Sequence, residues 1–166
     1  MPQQLQTKKT VPQKLLELFK AKFGDEFHAY YEGDPILIPA SKMPALVISE
    51  PQTAYDTGPT GMDEVTHQIL IQIVYNKKDD FGKPDNVATL ENTVDTIAQG
   101  RDETTGAFHP NSFMGILRGN FTLDNLMVEN VGSVRKGVIP RSEELLTVEA
   151  HIEVTFSELV EISNRL

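Results

Sequence analysis

The side chains best able to do metal or acid-base chemistry in this chain are four histidines, His28, His67, His109 and His151. Imidazole titrates near neutrality and ligates metals through a neutral nitrogen, so its neighbours decide its role. His151 and Glu153 stand two residues apart, which places them on one face of a strand. His67 joins them only if its own strand pairs beside theirs in register. That set would suit a small metal-dependent enzyme. A histidine on a sheet face is more often surface or hydrogen-bonded core.

The run His109-Pro110-Asn111-Ser112 holds groups usable in hydrolysis, yet Pro and Asn are also what a turn needs, and the turn is the favoured reading. Asp63-Glu64, Asp79-Asp80 and Glu143-Glu144 are adjacent pairs that a strand would point in opposite directions, so they read as solvated surface. There is no Gly-x-Ser-x-Gly elbow, no Gly-x4-Gly-Lys-[Ser/Thr] phosphate loop and no Gly-x-Gly-x-x-Gly fingerprint. Zero cysteines remove thiol nucleophiles, thiolate zinc sites and iron-sulfur clusters. The residues therefore assign no catalytic, cofactor or metal site, and the chain reads as a non-enzyme.

The elements that position these residues centre on 62–76, MDEVTHQILIQIVYN. Val65, His67, Ile69, Ile71, Ile73 and Tyr75 alternate with Thr66, Gln68, Leu70, Gln72, Val74 and Asn76. A period of two in β-branched and aromatic residues predicts a long strand with one face on a core and the other only partly wet. Residues 147–157 repeat the pattern, with Val148, Ala150, Ile152, Val154 and Phe156 inward and Thr147, Glu149, His151, Glu153 and Thr155 outward. Two such strands imply one shared sheet, expected to be antiparallel.

Upstream, Thr10 and Gln13 match a capping box, Pro12 fits a first turn, and Leu15, Leu18, Phe19 and Phe23 share a face before Gly24, which predicts a helix over 11–23. A second helix follows Asp85, with Val87, Leu90, Val94, Ile97 and Ala98 at helical spacing up to Gly100. Residues 43–49 read as a short strand that Pro44 confines to an edge or a first position. Residues 51–61, PQTAYDTGPTG, read as a long loop, 77–84 as a charged turn carrying Phe81, and 101–120 as an irregular insertion. A strand over 126–135 is expected to break at Gly132, with a turn or loop over 136–144. The expected fold class is α+β, a mostly antiparallel sheet with two amphipathic helices packed on it. The expected organisation is a mobile polar arm over 1–9 and a single domain over 10–166.

Composition narrows the function. At 166 residues, with 39% hydrophobic and 23% charged residues, the chain can bury one sizeable core. No apolar run approaches the roughly 20 residues of a membrane span, and the N-terminus lacks the apolar core of a secretory signal. The net charge of −9 is unevenly spread: residues 43–76 contain no Lys or Arg, and residues 142–163 contain six Glu and neither cation. Scattered cations such as Lys8-Lys9, Lys77-Lys78 and Arg135-Lys136 do not make the clustered patch that grips nucleic acid.

The order of elements and several stretches resemble the tail-terminator and tail-completion proteins at the neck of long-tailed bacteriophages. These stretches are Pro44-Ala45-Leu46-Val47-Ile48, the loop PQTAYDTGPTG, the segment VTHQILIQIVYNKKDDFG, the helix NVATLENTVDTIAQG and the closing strand LLTVEAHIEVTF. The resemblance covers roughly residues 11–157. It implies a structural subunit of a ring, commonly of six copies, that caps the tail tube protein and meets the head-completion or connector proteins, in a virion assembled in the host cytoplasm. Subunit contacts are then expected at Tyr55, Asp56, Thr57, Lys77, Lys78, Asp79, Asp80 and Phe81. Glu149 and Glu153 are expected to form an acidic lumen face past which DNA slides without specific binding. The alternatives are another head-tail connector or minor virion protein, the metal-dependent enzyme above, and an adaptor module that binds a partner as a monomer.

Overall fold

The computed structural model describes residues 8–80, 89–119, 122–123 and 126–162. Helix α1 is Val11–Phe23, and it begins where the sequence says it should. The Gln13 N–H donates to Thr10 Oγ1 at 3.3 Å, and the Thr10 N–H donates to Gln13 Oε1 at 3.0 Å, so two otherwise orphaned donors are satisfied reciprocally. Gly24, at φ +52°, closes the helix by donating its N–H to the Lys20 carbonyl.

Strands β1 (Ala29–Glu32), β2 (Ala45–Thr57) and β3 (Met62–Asn76) precede helices α2 (Thr89–Gln99) and α3 (Phe113–Gly119), and strands β4 (Thr122–Leu123), β5 (Leu126–Ser142) and β6 (Leu145–Glu161) close the chain. Among the described residues these strands form one sheet in the order β1-β2-β3-β6-β5-β4. β3 lies at its centre, with β2 on one side and β6 on the other for the whole of its length.

The fold class is α+β, but the expected sheet and helix count are corrected. The sheet is mixed, because β1 runs parallel to β2, and there are three helices among the described residues, not two. Residues 33–44 bring the chain back to the start of β1, the return that parallel pairing requires. That crossover also covers the start of β2, which is interior over Ala45–Ile48; Pro44 lies just before the strand, and its carbonyl accepts from the His28 N–H at 2.8 Å. The third helix lies in the stretch expected to be irregular. At seven residues it is too short to declare a period, yet Phe113, Ile116 and Leu117 are buried.

Two further expectations fall the same way. Residues 51–57 continue β2 after a bulge between Ser49 and Gln52, and only 58–61 form the turn. β5 runs unbroken through Gly132, Gly137 and Pro140, its irregularities absorbed by three register shifts against β6. Asp85, Val87 and Phe81 lie outside the described residues, as does most of the expected N-terminal arm.

The core sits between the helices and one sheet face. Val11, Leu15, Phe19 and Phe23 of α1, Val94 and Ala98 of α2 and Phe113 of α3 pack on Ile48, Ile69, Ile71, Ile73, Ile152 and Phe156. Phe113 is the hub of an aromatic cluster, with ring centroids 4.5 Å from Phe19 and 4.8 Å from Phe23. On the opposite face a smaller cluster of Ile38, Met43, Ala45, Val47 and Val74 forms beneath the 33–44 crossover, which explains why Val74, an even residue of β3, is apolar and fully buried.

Candidate functional site

The main core cluster ends at Ile69 on β3 and Phe156 on β6, but the strands continue. Residues 52–57 of β2, 62–68 of β3 and 155–161 of β6 extend past it as a three-stranded arm, with Met62 paired to Glu161 and Thr57 to Asp63. The arm carries apolar side chains in the open: Tyr55 is 71% exposed and Leu159 56%, and Met62, Val160 and Ile162 are exposed as well. Strand alternation puts Tyr55 and Val160 on the helix-side face and Met62 and Leu159 on the other. The arm therefore carries exposed apolar side chains on both faces. Ile162 closes its tip by donating its N–H to the Gly61 carbonyl at 2.7 Å.

His67 stands at the root of this arm and ties its strands together. Its Nδ1 meets the Glu50 carboxylate of β2, and its Nε2 meets Glu158 Oε1 of β6 at 2.8 Å. The imidazole thus bridges β2 and β6 across β3. His151 faces the opposite side of the sheet, where its Nε2 lies 2.9 Å from Glu149 Oε1 and 3.4 Å from Gln72 Nε2. The register pairs His67 with Phe156 and His151 with Gln72, so the set His67, His151 and Glu153 is split between two faces. Among the described residues no three His, Asp or Glu side chains are placed to share a metal ion.

Glu149 corrects the expected acidic lumen face. It is 1% exposed and held by Arg141, which donates from Nε at 2.7 Å and from Nη2 at 2.9 Å in a two-pronged pair. Thr147 Oγ1 also donates to Glu149. Burial raises the Glu149 pKa, but hydrogen bonds from His151, Arg141 and Thr147 outweigh it and bring the carboxyl down to about 2. The same partner, Glu149, raises Arg141 against the effect of burial. Arg141 Nη1 further reaches Asp34 Oδ1 at 3.2 Å and the Ile36 carbonyl at 3.0 Å, so this buried network fastens the 33–44 crossover to the sheet. Glu153 remains on the surface, paired with Arg135 at 3.0 Å.

The expected contact residues occupy two places. Tyr55, Asp56 and Thr57 lie on the arm, with the Asp56 carboxylate accepting the Thr57 N–H at 2.8 Å. Lys77, Lys78, Asp79 and Asp80 form a single 3-10 turn at the other end of β3, where the Lys78 N–H donates to Asn76 Oδ1 at 3.1 Å. At about 3.3 Å per residue the length of β3 sets them roughly 45 Å apart. Phe81 lies outside the described residues.

A cleft of about 350 Å3 lies beside α1 and α2, lined among others by Lys22, Glu26, Arg101, His109, Asn111 and Ser112. Its polar groups are occupied in building the chain. Ser112 Oγ donates to the His109 carbonyl at 2.7 Å and accepts the Gly115 N–H at 3.0 Å, capping α3. His109 Nδ1 accepts the Asn111 N–H at 3.2 Å, and Arg101 Nε donates to the Gly106 carbonyl at 2.6 Å. A serine so engaged is a cap and not a nucleophile.

Sequence reasoning passed over Met62, Leu159, Val160, Ile162, Glu50, Glu158 and Arg141. The signal for most of them was the period of two, which continues past Phe156 through Glu158 and Val160. Among the described residues no helix is long and apolar enough to cross a membrane. Compared with known proteins, the chain matches no family model and no curated protein sequence.

Proposed function

We propose that this chain is a structural subunit that assembles with copies of itself, as a ring-forming tail terminator or tail-completion protein joining a phage tail tube to the head connector. The observation that carries the reading is the arm, which puts Tyr55, Met62, Leu159, Val160 and Ile162 in water on a three-stranded support. Large apolar side chains gathered in water on one ordered element mark a contact surface, and aromatic anchors are typical of one. The place in the phage neck rests on the resemblance of the element order and the stretches quoted above.

The reading assigns no catalytic role, no cofactor and no metal. It makes DNA a passenger through the ring, in keeping with the net charge of −9 and the scattered cations. With Glu149 buried, any repulsion of phosphate falls to exposed carboxylates such as Glu153. The reading places the protein in the virion, between tail tube and connector proteins.

Leu159→Ser tests it. Leu159 faces solvent in the single chain, so the variant should keep the wild-type circular dichroism spectrum while its assembly, followed by light scattering, weakens by at least about tenfold, the effect of losing ~1.4 kcal/mol per contact. An assembly of unchanged size and strength would remove the arm from the interface.

A further inference from the structure

The sheet has two open edges, and they lie on opposite sides. β1 pairs with β2 only over Ala45 to Ile48, where the Gly33 N–H reaches the Ile48 carbonyl at 2.8 Å, so residues 49–57 of β2 have no outer neighbour among the described residues. Among the described residues β4 pairs with β5 only at Leu126 and Met127, which leaves residues 128–142 of β5 without an outer neighbour there. A long open edge is a template for another strand. Each contains a stretch free of bulges: 52–57 in β2, and 133–139 in β5 between its last two register shifts.

Strand direction makes the two edges complementary. β2 and β6 run one way and β3 and β5 the other, so a neighbouring copy in the same orientation places its β5 antiparallel to β2 and continues the alternation of the sheet. Charge agrees. Residues 49–57 carry Glu50 and Asp56 and no cation, whereas 128–142 carry Arg135, Lys136 and Arg141 against the single carboxylate Glu129. Glu50 is committed to His67 and Arg141 to Glu149, which leaves Asp56 facing Arg135 and Lys136; these two hold surface ion pairs with Glu153 and Asp95, which are weak in water and exchangeable. Like edges, β2 with β2 or β5 with β5, would set like charges side by side.

We propose that the occupant of each edge is a second copy of this chain, β5 of one subunit adding to β2 of the next, head to tail. This deepens the ring reading above and rests on it. The two stretches sit at different heights: Tyr55 is level with Val65, while Lys136 is level with Ala150 and, through it, Ile73. Successive copies are therefore staggered, and the strands tilt against the ring axis as they do in a closed barrel.

Counting the alternation of ladder hydrogen bonds from the outward Pro44 and Ile48 carbonyls puts the Tyr55 and Val138 N–H groups on the open edges. Proline there removes an outward donor and leaves the internal ladder intact. The full-length chain with Tyr55→Pro and the chain with Val138→Pro should each retain native circular dichroism and stay monomeric by native mass spectrometry. Mixed, they should form a one-to-one complex, because each keeps the edge the other needs. Either variant assembling alone like the wild type overturns the edge pairing while the ring reading stands. A mixture that stays monomeric when the wild type assembles overturns it also, and a wild type that never assembles sinks both. If proline disturbs folding, Asp56→Lys and Arg135→Glu serve in its place: each alone should assemble about fivefold more weakly, and the mixture should recover. No loss in either variant would reject the charge match and the proposal with it.

Discussion

Glu149 shows how one residue can reverse its sequence reading. Its position in the alternation of β6 was legible, and the alternation pointed it away from the main core, as the structure has it. What the pattern did not reveal is that this face is itself covered at that end by the crossover, with Arg141 supplied from eight residues upstream. A buried carboxylate needs such a partner, and removing one member of the pair leaves the other charge uncompensated. Because the folded-state pKa of about 2 lies below the usual 4.5, the carboxylate contributes its full stabilisation above pH 4.5 and loses it as the pH falls from 4.5 toward 2. The linked free energy is about 3 kcal/mol. Thermal melts across that window should show the midpoint falling steeply, and Glu149→Gln should flatten this acid limb while costing roughly 3–5 kcal/mol at neutral pH. An acid limb unchanged by the substitution would place the charge linkage elsewhere.

At the scale of elements, strength of periodicity decided what could be read. α1 declared itself through its capping box, its apolar face and Gly24, and β3 through its alternation. The interior of β6 did the same. The stretches that misled were those in which Gly and Pro signal a turn but the chain bulges and continues, as at Pro51 in β2 and Gly132 in β5. α3 was missed because seven residues cannot show a helical period, although Phe113 is its most consequential side chain. Phe113 is fully buried and touches three other rings, Phe19, Phe23 and Phe27. Phe113→Ala should therefore lower the unfolding free energy by roughly 3–5 kcal/mol in a denaturant titration. A loss below about 1 kcal/mol would mean that 113–119 rests on the core without belonging to it. Gly115 fixes how closely this helix meets the preceding turn, since a Cβ there would stand 2.0 Å from the His109 carbonyl oxygen.

At the scale of the molecule, the helices cover one sheet face, the crossover covers one end of the other, and the arm is left with apolar side chains on both of its faces. The sequence announced the arm's central strand, 62–68, but read 51–57 as loop and bounded the last strand at 157; nor did it show the arm's exposure, because an amphipathic pattern says which residues share a face and not whether anything covers it. The candidate contacts were split for the same reason: Tyr55 to Thr57 and Lys77 to Asp80 are joined by a strand whose length separates them. The proposed self-association would cover the arm within the chain's own chemistry and would give the two open sheet edges their partners. A closed ring fixes a single copy number, whereas a general apolar stickiness does not. The most direct measurement is native mass spectrometry of the full-length protein over a hundredfold range of concentration. The account predicts one closed stoichiometry above its assembly threshold, commonly six copies, with only monomer below it. A monomer throughout, or an open ladder of dimers, trimers and longer species without an end point, would contradict it.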